Sequence, residues 1–180
     1  MADETVQWYA MRAYKNENRA EQDIAQAPEL ECFVARRYEL RVYHGKKHRK
    51  LVPLIPSLVF VRGRQADIQQ FKIRHPSLQY ICNHFAGEAS QKLVVPDKQM
   101  ADFMKVAEQH EADVRFISVA EVALQKGCRV KIIGGIFDGV EGVLVRDKEL
   151  GSSRVAVALP GNLGAISTTE VTPEFISVLD

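Results

Sequence analysis

Two histidines, His44 and His48, stand four positions apart, a spacing that places two metal ligands on one face of a helix. Lys46, Lys47, Arg49 and Lys50 crowd around them and no Cys, Asp or Glu ligand stands beside them. Cations repel a metal ion, so no metal site is expected there. The three cysteines, Cys32, Cys82 and Cys128, are dispersed. They fit neither a disulfide framework nor a CxxC site, and each reads as a small buried hydrophobe instead of a nucleophile. The chain has no phosphate-cradling GxxxxGK[ST], no GxSxG, no HExxH and no paired carboxylates bracketed by turn signals. It reads as a binder, not an enzyme, with no cofactor.

The basic residues carry more information. Arg36, Arg37, Arg41, Lys46, Lys47, Arg49 and Lys50 stand against Glu39 alone. This block follows an acidic opening segment, so a net charge of only +1 conceals an uneven layout. It is either a solvated loop or a place where a phosphate backbone docks. A second candidate is the run GCRVKIIGGIFDGVEGV, from Gly127 to Val143. Its glycines fall where two strands need a tight, irregular join, and Gly135, Gly139 and Gly142 are expected at positive φ or at a close backbone approach. Phe137 inside that turn either plugs the end of a small barrel or offers a partner contact.

The elements that must position these groups change character near Gln125. Val6–Ala13 reads as a strand, and Asn16 caps a helix with Ala20, Ile24 and Ala27 at helical spacing. Cys32–Val42 and Ser57–Arg62 read as strands, with the basic block as their long connection. Asp67 and Gln70 form a capping-box pattern for a helix that must end before Pro76, and Leu78–Phe85 returns as a strand. Asp97 opens the clearest helix, with Met100, Phe103, Met104 and Ala107 as an apolar stripe that reads as core. The pattern predicts an α+β domain with helices on an antiparallel sheet over residues 1–109.

Residues 110–125 read as a linker. Residues 126–180 are rich in Val and Ile, and Gly and Pro punctuate five short strands: Arg129–Ile133, Gly142–Arg146, Arg154–Leu159, Ala165–Val171 and Phe175–Leu179. That spacing predicts a small β-barrel. A length of 180 residues, 46% apolar and 26% charged, suits two folded domains and excludes disorder. No apolar run is long enough to cross a bilayer, and no apolar h-region follows the acidic start, so a cytoplasmic protein is expected.

These residues carry a family resemblance. The Gly127–Val143 run resembles a KOW motif. Trp8-Tyr9-Ala10-Met11-Arg12-Ala13-Tyr14, the strand PLIPSLVFV from Pro53 to Val61, and Val94-Val95-Pro96-Asp97-Lys98 resemble the amino-terminal domain of the NusG family in order and spacing. LVPLIPSLVFVR, VVPDKQMADFMKVAE and VKIIGGIFDGVEGVLVR resemble its UpxY-type antiterminators, linked to capsular polysaccharide operons. Relative to the housekeeping pattern, Ser57-Leu58 replace Gly-Tyr, and Ile136, Gly139 and Val140 replace Pro and Asp-Phe in the KOW turn.

The resemblance implies a ferredoxin-like first domain, an SH3-like KOW barrel, and a regulator of transcription elongation or antitermination. It implies docking on the clamp helices of the RNA polymerase largest subunit through Ile55 and Leu58, with Trp8 and Tyr9 on the neighbouring strand. The other reading of Trp8 and Tyr9 is ordinary core packing, and for Trp8 it is the favoured one. Lys46, Lys47, Arg49 and Lys50 would meet phosphates of nascent RNA or non-template DNA. Phe137 is the candidate contact for a partner of the second domain, where relatives grip ribosomal protein S10 or Rho. A ribosome- or RNA-binding KOW protein is the alternative reading.

Overall fold

The computed structural model describes residues 4–14, 16–83, 89–110, 112–118, 127–147, 151–161 and 163–179. It is a mixed α+β chain with antiparallel sheets. Its contacts divide it into two compact units: one runs up to Arg36 and resumes from Val52 to Asp97, and the other holds Arg37–Leu51 and the chain from Lys98 onward.

The first unit, from which most of β3 and β4 named below are excepted because they belong to the second, begins with β1 (Val6–Ala13) leading to α1 (Glu17–Ile24), whose start is fixed as expected. The Asn16 side chain accepts hydrogen bonds from the amides of Asn18 at 2.8 Å and Arg19 at 3.3 Å, satisfying donors that the first helical turn leaves open. Next come β2 (Glu31–Phe33), β3 (Arg36–Tyr43), β4 (Lys46–Pro53), β5 (Leu58–Arg64) and α2 (Gln65–Arg74). Asp67 does not cap α2. It lies in the first turn and pairs with Arg64 at 2.6 Å, favourable near the positive end of the helix dipole. The short strands β6 (Leu78–Tyr80), β7 (Cys82–Asn83), β8 (Gln91–Lys92) and β9 (Val94–Val95) follow. The tail of the expected Leu78–Phe85 strand, residues 84–85, lies outside the described residues.

β1 is the central strand. It pairs with β5 from Val6↔Arg64 to Arg12↔Leu58, and its other edge is shared by β6 at Met11–Ala13 and β9 at Trp8–Tyr9. The alternation of a strand then decides the core. Tyr9, Met11 and Ala13 of β1 and Val59 and Val61 of β5 join Ile24 of α1, Ile68 of α2 and Leu78 in one cluster. Each large apolar side chain so buried contributes about 1.5–3 kcal/mol. Gly63 keeps this layer closed, because a Cβ there would stand 2.5 Å from Leu30 Cδ2.

The basic block is a hairpin, not the long connection expected from sequence. β3 and β4 pair as a two-stranded sheet, turned by His44 at φ 50° and Gly45 at φ 72°. Two consecutive left-handed residues give the twist that a two-residue hairpin turn requires.

In the second unit, α3 (Asp97–Ala107) buries Met100, Phe103, Val106 and Ala107, close to the predicted stripe. Then come β10 (Arg115–Ile117), β11 (Arg129–Ile132), β12 (Glu141–Arg146), β13 (Ser153–Ala158), β14 (Ala165–Ser167), a 3₁₀ turn at Pro173–Phe175 and β15 (Ile176–Val178). The strands form one antiparallel sheet in the order β10-β14-β13-β12-β11-β15. No ladder among the described residues joins β10 to β15, so the expected closed barrel is seen as an open path of six strands. The expected linker is only partly a connection: Arg115–Ile117 pairs with Ser167–Ala165, while residues 111 and 119–125 lie outside the described residues. Among the described residues, no helix is long and apolar enough to cross a membrane.

Candidate functional site

The corner before β5 is built from Ile55, Pro56, Ser57 and Leu58. Pro56 sets the second position of the turn, and Ser57 sits third at φ 64°. The Leu58 amide closes the turn on the Ile55 carbonyl at 3.4 Å. Ser57 is pinned from two sides: its amide donates to a Glu17 carboxylate oxygen, and its carbonyl accepts from the Ala13 amide at 2.9 Å. The corner is therefore tied to both β1 and the start of α1.

The four expected polymerase-facing residues differ in exposure. Ile55 remains half-buried, with part of its side chain at the surface. Leu58, Trp8 and Tyr9 are 5%, 7% and 2% exposed, so their free contact surface is small. Tyr9 belongs to the core cluster and stacks edge-on with Tyr80, ring centres 5.4 Å apart. β1 is buried on both faces from Trp8 to Met11. The apolar character of its aromatic residues is spent on packing, and Ile55 is the member of the set that stays accessible.

The β3–β4 hairpin is exposed along most of its length. Strand alternation gives it two unlike faces. Tyr38, Leu40 and Val42 share one face of β3 and are 41%, 70% and 66% exposed, with Arg49 of β4 laying its guanidinium 3.6 Å from the Tyr38 ring centre. Tyr43 and His48, rings 6.3 Å apart, lie together on the other. Lys46, Lys47, Arg49 and Lys50 are all exposed, so the structure brings the four expected phosphate contacts onto one ribbon. The interleaved tyrosines and leucine were not singled out from sequence. Their signal was the alternation Tyr38-x-Leu40-x-Val42 inside a run read for its charge.

In the glycine-framed turn, Gly135 and Gly139 adopt φ 71° and 81°, and Gly142 has no room for a side chain beside Val155 and the Ala156 carbonyl. All three glycines do what the sequence asked of them. Phe137 is buried at 4% exposure, so it is a plug and not the displayed contact. The turn folds back on itself, the Asp138 carboxylate accepting from the Gly134 amide at 2.5 Å, and this directs Phe137 inward. Ile133 and Ile136 are the apolar residues shown to solvent, 54% and 56% exposed.

Among the described residues, no group of His, Cys, Asp and Glu is arranged to hold a metal ion. Burial, reinforced by Glu21, pushes the Cys32 thiol up to about 12, which leaves it protonated and inert at neutral pH.

Residues 6–104 match the family model of transcription termination factor NusG. That is more than half of the chain. The chain belongs to the NusG family. A search of curated proteins returned no match. The NusG match runs from β1 into α3 and so contains the Ile55–Leu58 corner, the β3–β4 hairpin and the strand carrying Trp8 and Tyr9. NusG-family proteins are transcription factors that work with RNA polymerase. The turn around Phe137 and the six-stranded sheet lie beyond the matched segment.

Proposed function

We propose that this NusG-family protein is a transcription elongation regulator of the specialised, antiterminating kind, and that it works by binding alone. The observation that carries the reading is the family match over residues 6–104, joined to a rigid, proline-set corner that keeps Ile55 at the surface. Ile55 is the anchor for the clamp helices of RNA polymerase, and Leu58, Trp8 and Tyr9 are the packed scaffold that fixes it. The hairpin lies alongside nucleic acid, with Lys46, Lys47, Arg49 and Lys50 on phosphates, which positions the complex without reading sequence. The sheet from β10 to β15 is an open form of a KOW-type, SH3-like domain. Its turn offers Ile133 and Ile136 to a partner of the S10 or Rho kind.

The physics is differential affinity. A protein that binds the elongating conformation of the polymerase more tightly than the paused one shifts the population towards elongation. A preference of about 1.4 kcal/mol changes that ratio tenfold. No bond is made or broken.

Copurification tests this directly. Ile55→Asp is expected to abolish association with polymerase while leaving the thermal unfolding profile unchanged. Retention of polymerase by this variant, or recovery of ribosomes instead of polymerase with the wild type, overturns the reading. Nascent-transcript sequencing with and without the protein gives the target and the sign of the effect. Loss of transcripts downstream of terminators when the protein is removed is the expected result.

A further inference from the structure

Away from the hairpin, two lysines from different elements converge on one aromatic ring. Lys72 lies in the last turn of α2 and Lys92 in β8, and their ammonium groups stand 4.5 and 4.6 Å from the ring centre of Tyr80 in β6. The ring itself is held by its edge contact with Tyr9 in the core. The two lysines thus share one packed ring.

The pair is electrically unbalanced. Each ammonium gains from the electron-rich face of the ring, but the ring carries no net charge. Among the described residues, no carboxylate lies within ion-pair distance of Lys72 or Lys92, and the Tyr80 hydroxyl is buried without a hydrogen-bond partner. Partial burial first, and Lys92 second, lower the pKa of Lys72, while the Cys82 thiol nearby acts in the opposite direction. Two like charges held together and partly desolvated are stabilised by any anion that touches both. Sharing one ring keeps the two nitrogens within about 9 Å. A tetrahedral phosphate reaches two ammonium groups up to about 8 Å apart, each bonding a different oxygen at about 2.8 Å, which covers most of the range that the shared ring allows.

We propose that Lys72 and Lys92, seated on Tyr80, form a phosphate-binding site that receives a backbone phosphodiester of nucleic acid. The site is open and uses two side chains, too few to hold free phosphate well. A phosphate belonging to a chain already held elsewhere arrives at high effective concentration, and that makes two contacts sufficient. The inference therefore rests on the nucleic-acid-facing part of the proposed function and extends it to a second place on the protein.

Fluorescence anisotropy of a labelled single-stranded oligonucleotide with the full-length chain, across a salt series, tests the site. The double variant Lys72→Gln with Lys92→Gln is expected to lower the slope of log affinity against log salt by about 0.7, the value for one phosphate on a single strand. Lys72→Arg with Lys92→Arg keeps the charges and should keep the slope. Inorganic phosphate at matched ionic strength should compete only weakly. Strong competition by it would overturn the backbone assignment in favour of a free-phosphate site. An unchanged slope in the glutamine variant, with loss of binding on neutralising Lys46, Lys47, Arg49 and Lys50, overturns this site and leaves the proposed function standing. A wild-type chain that binds no oligonucleotide overturns the site, and failure to retain polymerase as well overturns the proposed function with it.

Discussion

The guanidinium of Arg154, inside the second sheet, donates to the carboxylate of Asp113 at 2.6 Å and so fastens the segment that leads into β10. The same side chain donates to the Asp113 carbonyl at 2.8 Å and the Thr168 carbonyl at 3.0 Å, and its Nε lies 3.3 Å from Asp147 Oδ2. Arg115 closes the ring of charges on Asp147 at 3.1 Å and Asp113 at 3.2 Å. The Arg154 and Asp147 side chains are only 4% and 8% exposed. Removing one partner of such a pair strands the other charge in a poor solvent. Arg154→Ala is expected to cost the chain about 3–5 kcal/mol, read from the denaturant midpoint. Arg154→Lys should recover little, because a point charge cannot reproduce the fork that meets two carbonyls and a carboxylate.

Asp113 makes this fastening sensitive to acid. Hydrogen bonds from Arg154 first and Arg115 second hold its carboxyl below the usual carboxylate range, against a smaller opposing effect of burial. A depressed folded value means that the contribution to stability is complete above the unfolded-chain pKa, about 3.9. It is lost as pH falls through the lower folded value. Asp113→Asn should therefore be less stable than wild type at pH 7 and should lose less further stability below pH 4. Thermal unfolding at stepped pH measures the difference, and parallel curves for the two proteins would contradict it.

Ser57 is a β-carbon residue in a left-handed conformation, φ 64°, at the corner that presents Ile55. That conformation costs a non-glycine residue about 1–2 kcal/mol, against which the larger chain entropy of unfolded glycine weighs. The bonds that hold the corner come from the Ser57 backbone, which glycine keeps. Ser57→Gly is expected to raise stability by about 0.5 kcal/mol or more and leave polymerase copurification unchanged. A lowered melting temperature would mean that the hydroxyl is needed.

Where the sequence and the structure agree, one local force acted alone. Asn16 caps α1 because only its own side chain was needed, and β1 spans Val6–Ala13 as its composition suggests. Gly135, Gly139 and Gly142 were legible because a missing Cβ is a property of one residue. β4 was not legible: Lys46–Lys50 shows no apolar alternation, since a hairpin exposed on both faces has no core side to mark it. β10 was hidden for another reason. Its pairing with Ser167–Ala165 and its tie through Asp113 to Arg154 depend on partners about 40 residues or more away, and nothing in Arg115–Ile117 itself announces them. The site residues suffered likewise. Trp8, Leu58 and Phe137 are the aromatic and aliphatic side chains that a binding surface needs and a core also needs, and sequence does not tell which one takes them.

The glycines of the second unit allow two kinds of constraint to be separated. At Gly135 a Cβ meets nothing within 4 Å, so the only obstacle to alanine is φ 71°. At Gly142, φ is ordinary, but a Cβ would collide with the Ala156 carbonyl and come 2.8 Å from Val155 Cγ1. Gly142 faces Val130 across the β11–β12 ladder, within a strand that also pairs with β13. The clash is with backbone of the neighbouring strand, which cannot rotate aside as a side chain can. Gly135→Ala is expected to cost about 1–2 kcal/mol, the left-handed penalty. Gly142→Ala should cost more, about 3 kcal/mol, since the sheet itself must spread. Chemical denaturation of the two variants orders them, and equal losses would show that the β12–β13 spacing is less rigid than the contact at Gly142 implies.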